Sequence, residues 1–300
     1  MFSDVDVSII IVNYNTNDLV IQCINSVLLH TKNIEFEIIV VDNNSPDRKI
    51  EGLNDVFPNV KLILNDSNSG FGAANNLGAK FALGKYIFLL NSDTIILDNS
   101  IYYLYKFMSD HNNAGACGGN LCDINLQPAT SFTRWMPSIL SDVDYFFINI
   151  ISKLIYKKNT YYCYSNSPIK INGNISGADL MISKQVYDDL GGFDENFFMY
   201  YEETDLLFRI RKMKYETFIV PQSKIIHLEG ASESIQSNRL NWTYESKRKY
   251  YLKNKSKMQF LISNQIFYLT ILQRILLFKV IGNKSKFKYW LDFYNWFKNK

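Results

Sequence analysis

The chain has 300 residues, of which 47% are hydrophobic and 20% charged, a composition that excludes a disordered chain and provides for one large core or two closely packed ones. The formal net charge of +3 is unevenly divided: residues 241–300 hold thirteen Lys and Arg against Glu245 and Asp292, leaving 19 basic and 27 acidic side chains, a net of −8, in residues 1–240. An acidic body with a basic tail points to a polyanionic partner for that tail, either an anionic membrane surface or nucleic acid.

The opening segment, MFSDVDVSIIIVNYN, puts no basic stretch ahead of its apolar run and turns polar too early for a secretory signal, so a cytoplasmic chain is expected. Residues 7–12 (VSIIIV) predict a buried strand, followed by a polar loop and a helix carried by Leu19, Val20, Ile24, Val27 and Leu28. Residues 37–41 (EIIVV) predict a second buried strand that ends at Asp42 and the polar run DNNSPD. Residues 60–64 predict a third, which leads through NDSNSGFG to a helix over 73–83, and residues 86–90 (YIFLL) a fourth that runs into Asn91-Ser92-Asp93. Strands alternating with helices imply a parallel sheet covered on both faces, with ligands bound outside the carboxyl ends of the strands, where these polar loops collect.

Residues 120–138 read as a hairpin and loop, and 139–156 as an apolar, aromatic helix. The loop INGNISGAD feeds a short strand; Ser183 is placed to cap a helix over 184–190, which Gly191-Gly192 would end. The segment FDENFFMYYEETDLLFRIRK sets aromatic residues against an acidic cluster that opens an amphipathic helix. Residues 218–221 and 224–227 predict two last short strands, the second closing on His227 and a small-residue loop, LEGAS. The four cysteines, Cys23, Cys117, Cys122 and Cys163, show no CxxC pairing with histidines and read as buried free thiols.

Residues 260–281 are hydrophobic enough to raise the question of a membrane span, but Asn264, Gln265, Gln273, Arg274 and Lys279 interrupt them. Phe287, Trp290, Tyr294 and Phe297 recur at helical spacing among lysines, the pattern of a helix lying in a lipid interface. That spacing suits a bilayer better than a phosphate-tracking groove, so no nucleic-acid partner is expected.

Taken alone, Asp93 is a turn acid. His227 closing another strand, Asp42 ending the second strand, and Glu202, Glu203 and Asp205 opening a helix change its meaning. A carboxylate and an imidazole with open positions between them are a reasonable shell for a divalent cation that also binds phosphate oxygens.

The ordered motifs VSIIIVNYNT, EIIVVDNNSPD, NSGFGAANNLGAK, YIFLLNSD, ISGADLMISKQVYDDLGGFDENFFMYYEETDLLFRIRK and IIHLEGAS resemble the family-2 glycosyltransferases of GT-A fold, in particular their bacterial rhamnosyltransferase-like branch. The resemblance covers roughly residues 5–235 and rests on six motifs in the right order, not on any one of them. It implies an α/β GT-A fold: a Rossmann-like nucleotide-binding half with a mixed, mostly parallel sheet flanked by helices, and a C-terminal helical tail. The corresponding division is a catalytic domain over 1–240, with a nucleotide-sugar half at 1–119 and an acceptor half at 120–240, and a basic, aromatic helical region at 241–300.

The resemblance also implies roles. Asp42 matches the acid that accepts from a pyrimidine ring nitrogen, with Asn13, Tyr14 and Asn43 beside it. Asn68, Gly70, Asn75 and Asn76 lie in the Gly-rich donor loop, whose small residues let backbone approach ribose and diphosphate. Asn91, Ser92 and Asp93 match the DxD motif with Asn in the first place, so Asp93 becomes the principal ligand of Mg2+ or Mn2+, and His227 completes the metal site. Glu202-Glu203 matches the family's ED pair. Glu203 would be the general base, with Glu202 or Asp205 as substitutes. Gly177, Ala178 and Asp179 match a loop that touches sugar or acceptor. Trp135, Phe197, Phe198, Tyr200 and Tyr201 offer stacking faces, most of them expected in the core.

The activity implied is inverting transfer of a sugar, rhamnose from a dTDP donor in first place and a UDP-hexose in second, to a glycan or lipid-linked acceptor at the inner face of the membrane, in surface-glycan synthesis. Two rivals stand beside it. A non-catalytic nucleotide- or glycan-binding member would explain the altered DxD and ED positions. A dinucleotide oxidoreductase is disfavoured, because the first strand is followed by Asn-Tyr-Asn-Thr-Asn and not by a glycine fingerprint.

Overall fold

The computed structural model describes residues 4–156, 164–228 and 239–300. Its strands form one sheet in the order β3-β2-β1-β4-β8-β6-β9-β5, with β7 paired to β9. These strands are β1 (Val7–Asn13), β2 (Phe36–Asp42), β3 (Lys61–Leu64), β4 (Tyr86–Asn91), β5 (Thr94–Leu97), β6 (Ala114–Cys122), β7 (Ile169–Lys170), β8 (Asp179–Ser183) and β9 (Glu216–His227). The first four pair in parallel, as expected of apolar runs joined by helices. Beyond β4 the sheet is mixed: β8 runs antiparallel to β4 and β6, while β6 and β9 are parallel.

The helices are α1 (Asn17–His30), α2 (Leu53–Val56), α3 (Phe71–Ala79), α4 (Ser100–Asp110), α5 (Ile139–Phe146), α6 (Ile150–Tyr156), α7 (Lys184–Asp189), α8 (Glu202–Lys212), α9 (Arg239–Asn254), α10 (Lys257–Val280) and α11 (Lys284–Phe297). Strand side chains alternate between two cores. Ile9 and Ile11 join residues of α1 and α4 on one face. Ile10, Ile39 and Val41 join α3 and α8 on the other. Gly78 lets α3 sit on the sheet, since a Cβ there would come 2.7 Å from Ile10 Cγ2.

Four local expectations are revised. The helix expected over 139–156 is split at Ile148 and Asn149, both left-handed (φ 56° and 58°). Ser183 makes no side-chain cap on α7, although Gly191 and Gly192 do end it with φ near 70°. The two last short strands are one twelve-residue strand, β9. It reaches past a register shift at Gly118/Asn120, and so pairs with β5 as well as β6. The aromatic face of α11 turns inward: Trp290 and Phe293 are buried with Tyr244, Phe267 and Ile271, and Tyr294 and Phe297 pack on them. Three cysteines, Cys23, Cys117 and Cys122, are buried free thiols; Cys163 and most of the LEGAS loop lie outside the described residues.

The C-terminal helices are packed onto the sheet-bearing part. Buried Asp142 on α5 accepts from Lys247 Nζ at 2.6 Å, Tyr251 Oη at 2.7 Å and Ser263 Oγ at 2.5 Å, joining α5 to α9 and α10. Burial lowers the pKa of Lys247, and the Asp142 charge opposes that shift.

Candidate active site

The parallel register sets Asn13 beside Asp42 and Val12 beside Asn91, so the ends of β1, β2 and β4 form one polar edge. Asn13 Nδ2 donates to Asp42 Oδ1 at 2.7 Å and to Ser45 Oγ at 3.1 Å, while its Oδ1 accepts from Thr16 N and Oγ1 at 3.1 and 2.8 Å. The amide of Asn13 is therefore fully used, and it shapes the loop carrying half-buried Tyr14 without a donor or acceptor to spare for a ligand. Asp42 is buried; its Oδ1 also accepts from Ser45 Oγ at 2.6 Å and its Oδ2 from Ser45 N at 2.9 Å, which leaves one lone pair on Oδ2.

Asn43 ties this edge to the glycine-rich loop. Its Nδ2 donates to Asn68 Oδ1 at 2.9 Å and Gly70 O at 3.3 Å, and its Oδ1 accepts from Asn65 Nδ2 and Ser69 N at 3.0 and 3.1 Å. Gly70 adopts φ +88°, and a Cβ there would collide with the carbonyl of Phe198, so only glycine fits the close approach. Phe71 N donates to that same carbonyl at 3.0 Å. Asn76, expected at the donor, faces elsewhere, whereas Asn75, also expected there, keeps a buried Oδ1 without a partner among the described residues. Asn75 is buried with Nδ2 on Phe71 O. Asn76 bonds Phe193 N and O, Tyr187 Oη and Glu195, because its side of α3 packs on the turn after α7.

Asp93 and His227 meet. Thr94 pairs with His227 across the antiparallel β5–β9 ladder, and Leu228 N donates to Asp93 O at 2.9 Å. His227 Nε2 lies 3.2 Å from Asp93 Oδ1 and 3.4 Å from Asn91 Nδ2. Two donor atoms roughly 2.0–2.2 Å from one cation at a right angle stand about 3 Å apart, so this pair fits a shared divalent ion. Among the described residues no group of three or more His, Cys, Asp and Glu side chains comes together; further coordination would have to come from water or ligand oxygens. Ser92 Oγ lies 3.0 Å from Thr16 Oγ1, joining the Asn91–Asp93 turn to the loop after β1.

Glu202 and Glu203 open α8 behind two consecutive left-handed residues, Tyr200 and Tyr201 (φ 67° and 68°), a backbone that non-glycine residues rarely adopt. Glu203 is half-buried and lies against Gly177, where a Cβ would be 3.7 Å from its own. Its Oε1 accepts from Asn174 Nδ2 at 3.0 Å. Burial raises its pKa above the usual carboxylate range. Glu202 is buried beside Gly72 with Oε2 unpartnered; burial and the neighbouring Glu203 charge push its pKa well up. Ala178 is buried, and its carbonyl accepts from Asn91 N at 3.0 Å, so the segment lying against Glu203 is fastened to the strand end that leads to Asp93.

Two expected site acids lie elsewhere. Asp179 is fully buried, its Oδ2 accepting from Gly119 N at 2.6 Å, and burial raises its pKa strongly. Paired with Leu90 on β4, Asp179 points to the face of the sheet where Leu90 joins the α1 and α4 core. Asp205 is also fully buried, bonded by Arg209 Nε at 2.8 Å, Lys253 Nζ at 2.9 Å and Asn254 Nδ2 at 2.8 Å, so it anchors α9 and is closed to an acceptor. Trp135 donates through Nε1 to Tyr156 Oη at 2.8 Å. Phe197 is core, and Tyr201 packs on Tyr250. Asn174 and Ser45 were not singled out from sequence; a polar amide three residues ahead of Gly177 and a serine three after Asp42 were the available signals.

Residues 8–176 match the family model for glycosyl transferase family 2. An N-acetylglucosaminyl-diphospho-decaprenol L-rhamnosyltransferase of Mycobacterium tuberculosis is 26% identical over 192 residues, 59% of this chain and 61% of the relative. The dTDP-rhamnosyl transferase RfbF of Shigella flexneri is 26% identical over 196 residues, 64% of this chain and 60% of its own. The chain thus spans about six-tenths of the length of these relatives. Among solved structures, GalNAc-T7 with UDP, GalNAc and Mn2+ aligns at TM-score 0.57 and 18% identity, covering 82% of this chain and 50% of that one. Residues 1–349 of TarS from S. aureus align at TM-score 0.52 and 15% identity, covering 97% and 91%. Both are matches of fold.

Proposed function

This chain belongs to glycosyl transferase family 2, and from that premise we propose that it is an inverting transferase moving a sugar from a nucleotide diphosphate donor to a glycan or lipid-linked glycan acceptor. The observation that carries the reading is a chain of contacts: the half-buried carboxylate of Glu203 lies against Gly177, and the next residue, Ala178, is bonded to Asn91, two residues from the Asp93–His227 pair.

In the reaction, Glu203 takes the proton of an acceptor hydroxyl as that oxygen bonds the anomeric carbon and the nucleotide diphosphate departs from the opposite face. A carboxylate whose pKa is lifted by burial is a stronger base once ionised. Asn174 holds Oε1 and so orients the other oxygen. Asp93 and His227 would hold a divalent cation, Mg2+ or Mn2+, which when bound supplies Lewis-acid stabilisation to the leaving diphosphate. Asp42, with its one spare lone pair, would accept from the ring N–H of thymine or uracil. The names of the M. tuberculosis and S. flexneri relatives support rhamnose on dTDP as the donor, with a UDP-hexose second.

Attachment to the inner face of an anionic membrane belongs to the same reading, through a different surface than the α11 aromatics. α10 is long and apolar enough to cross a membrane, but Arg274 is buried on it, donating to Tyr145 O at 3.0 Å, and it packs on α5 and α11. Its outer side exposes Met258, Leu261, Leu269, Leu272, Leu276 and Val280, and lysines 257, 279, 284 and 286 stand at its ends.

The test is turnover of dTDP-rhamnose and of UDP-hexoses with Mn2+ present. Hydrolysis or transfer by the wild type that disappears in Glu203→Gln, with dTDP affinity retained, supports the enzyme. Nucleotide binding without turnover of any donor would identify a nucleotide- or glycan-binding member instead.

A further inference from the structure

Arg134 is a cation without an acidic partner among the described residues. Its guanidinium lies 4.8 Å from the ring centre of Tyr156 and 5.7 Å from that of Phe132, and it makes no ion pair among the described residues, although the body of the chain carries more acids than bases. Stacking on aromatic faces leaves the N–H edge of a guanidinium open, in the fork geometry that suits a phosphate. The loop that bears Arg134 is tied to the base. Thr133 N donates to Asn174 O at 2.7 Å, Asn174 N to Thr133 Oγ1 at 3.1 Å, and Asn174 Nδ2 to Glu203. On its far side the same guanidinium meets Tyr156, the last residue of α6, whose Ile150, Leu154 and Ile155 are 52%, 74% and 57% exposed. The contacts therefore run from Glu203 through Asn174 and Thr133 to Arg134, and from Arg134 to Tyr156 and the exposed hydrocarbon of α6.

Resting on the transferase reading above, we propose that Arg134 and the apolar face of α6 form the acceptor-binding track, with Arg134 holding the diphosphate and Ile150, Leu154 and Ile155 the first part of the lipid of a saccharide carried on a lipid diphosphate. The order of the track is the order of such a molecule: reacting sugar hydroxyl at Glu203, anion next, chain last. The donor diphosphate is accounted for separately, at Asp93, His227 and the Gly70 loop. Arg211 adds to the positive potential behind the track: it too lacks an acidic partner among the described residues, and its Nη2 lies 2.7 Å from Met136 Sδ in the same loop.

Binding of farnesyl diphosphate, farnesol and inorganic diphosphate to the full chain, measured calorimetrically in EDTA so that the cation-dependent donor site is silent, tests this. Farnesyl diphosphate should bind the wild type; Arg134→Ala should weaken it by about tenfold or more, and Arg134→Lys less, as a point charge replaces a fork. The double variant Leu154→Glu/Ile155→Glu should weaken farnesyl diphosphate while leaving inorganic diphosphate unchanged. All three variants should still bind dTDP with Mn2+, which reports an intact fold. No farnesyl diphosphate binding by the wild type, unchanged affinity in Arg134→Ala, or displacement by dTDP would overturn the proposal. The two readings fail separately: sugar transfer that ignores Arg134 removes the track and keeps the enzyme, whereas Arg134-dependent binding without donor turnover keeps the track and removes the enzyme.

Discussion

His227 Nε2 stands 3.2 Å from Asp93 Oδ1 across the β5–β9 ladder, with the amide of Asn91 3.4 Å away on the third side. One carboxylate and one imidazole, with the NH2 group of Asn91 beside them offering no lone pair, make a weak trap for a hard cation unless ligand phosphates complete it. Calorimetry should therefore find Mn2+ binding poor in the absence of nucleotide and strong in the presence of dTDP or UDP. Asp93→Asn and His227→Ala should each abolish that enhancement and lower kcat by about 10²–10³-fold, the scale seen when one stabilising group for developing charge is removed. Tight Mn2+ binding by the nucleotide-free chain would count against the assignment.

The pH dependence follows from Glu203. Burial lifts its pKa above the ordinary glutamate value of 4.5. A base must be ionised to work, so activity falls as the pH drops through the raised value. The acid limb of kcat should accordingly lie above pH 4.5, and Glu203→Gln should cost about 10²–10⁴-fold and erase the limb. Asn174→Ala removes the hydrogen bond that favours the charged form; its limb should move to higher pH while donor KM stays the same.

Gly70 is held left-handed against the Phe198 carbonyl. Gly70→Ala costs about 1–3 kcal/mol for the backbone alone, since φ 88° with ψ 171° is a region essentially only glycine adopts, and the added methyl must also push the donor loop off the segment leading into α8. A lower Tm together with a raised donor KM is expected; a variant with wild-type KM would show that the loop tolerates the shift.

Asp205 should behave as a structural residue. Asp205→Asn leaves Arg209 without its carboxylate, while Lys253 keeps Asp194 at 2.6 Å; the loss should therefore fall at the lower end of the roughly 3–5 kcal/mol typical of a broken buried pair. Denaturant melts should show the loss, while the pH profile of whatever folded enzyme remains should match the wild type.

The surface of α10 separates two views of the C-terminal helices. Leu272→Glu with Leu276→Glu should reduce flotation with anionic liposomes and leave Tm nearly unchanged, since both side chains are exposed. Trp290→Ala should do the reverse: buried in the α9–α11 cluster, it should cost stability by about 3–5 kcal/mol.

Sequence patterning carried the parallel half of the sheet well, because β1, β2 and β4 are continuous apolar runs that stop at polar residues, and those stopping points lie side by side along one polar edge. Motif order named Asp93 and His227, which the fold brings within 3.2 Å of each other, and Glu203, which lies against Gly177. What it could not carry was the direction of a side chain from an element whose neighbours were unknown. Asn76 lies in the same motif as Gly70 but on the face of α3 that meets the turn after α7, and Asp179 follows Gly177 by two residues yet points to the face that carries the α1 and α4 core. The α11 aromatics have the same ambiguity. A stripe at helical spacing fits lipid or another helix equally, and here Tyr244 and Phe267 meet it first. Asn174 escaped notice because its importance comes from a partner 29 residues away.

The buried carboxylate of Asp142 bears on how this chain could be shortened. Its three donors come from α9 and α10, on the far side of the composition change near residue 240. Cutting the chain there would strand an anion inside α5 and uncover Phe197 on the loop that leads to Glu202. The boundary drawn by charge is thus no cleavage point: a fragment ending at 240 should be insoluble or inactive, and any exchange of modules with another chain should carry α5 together with the three C-terminal helices as one inheritable unit.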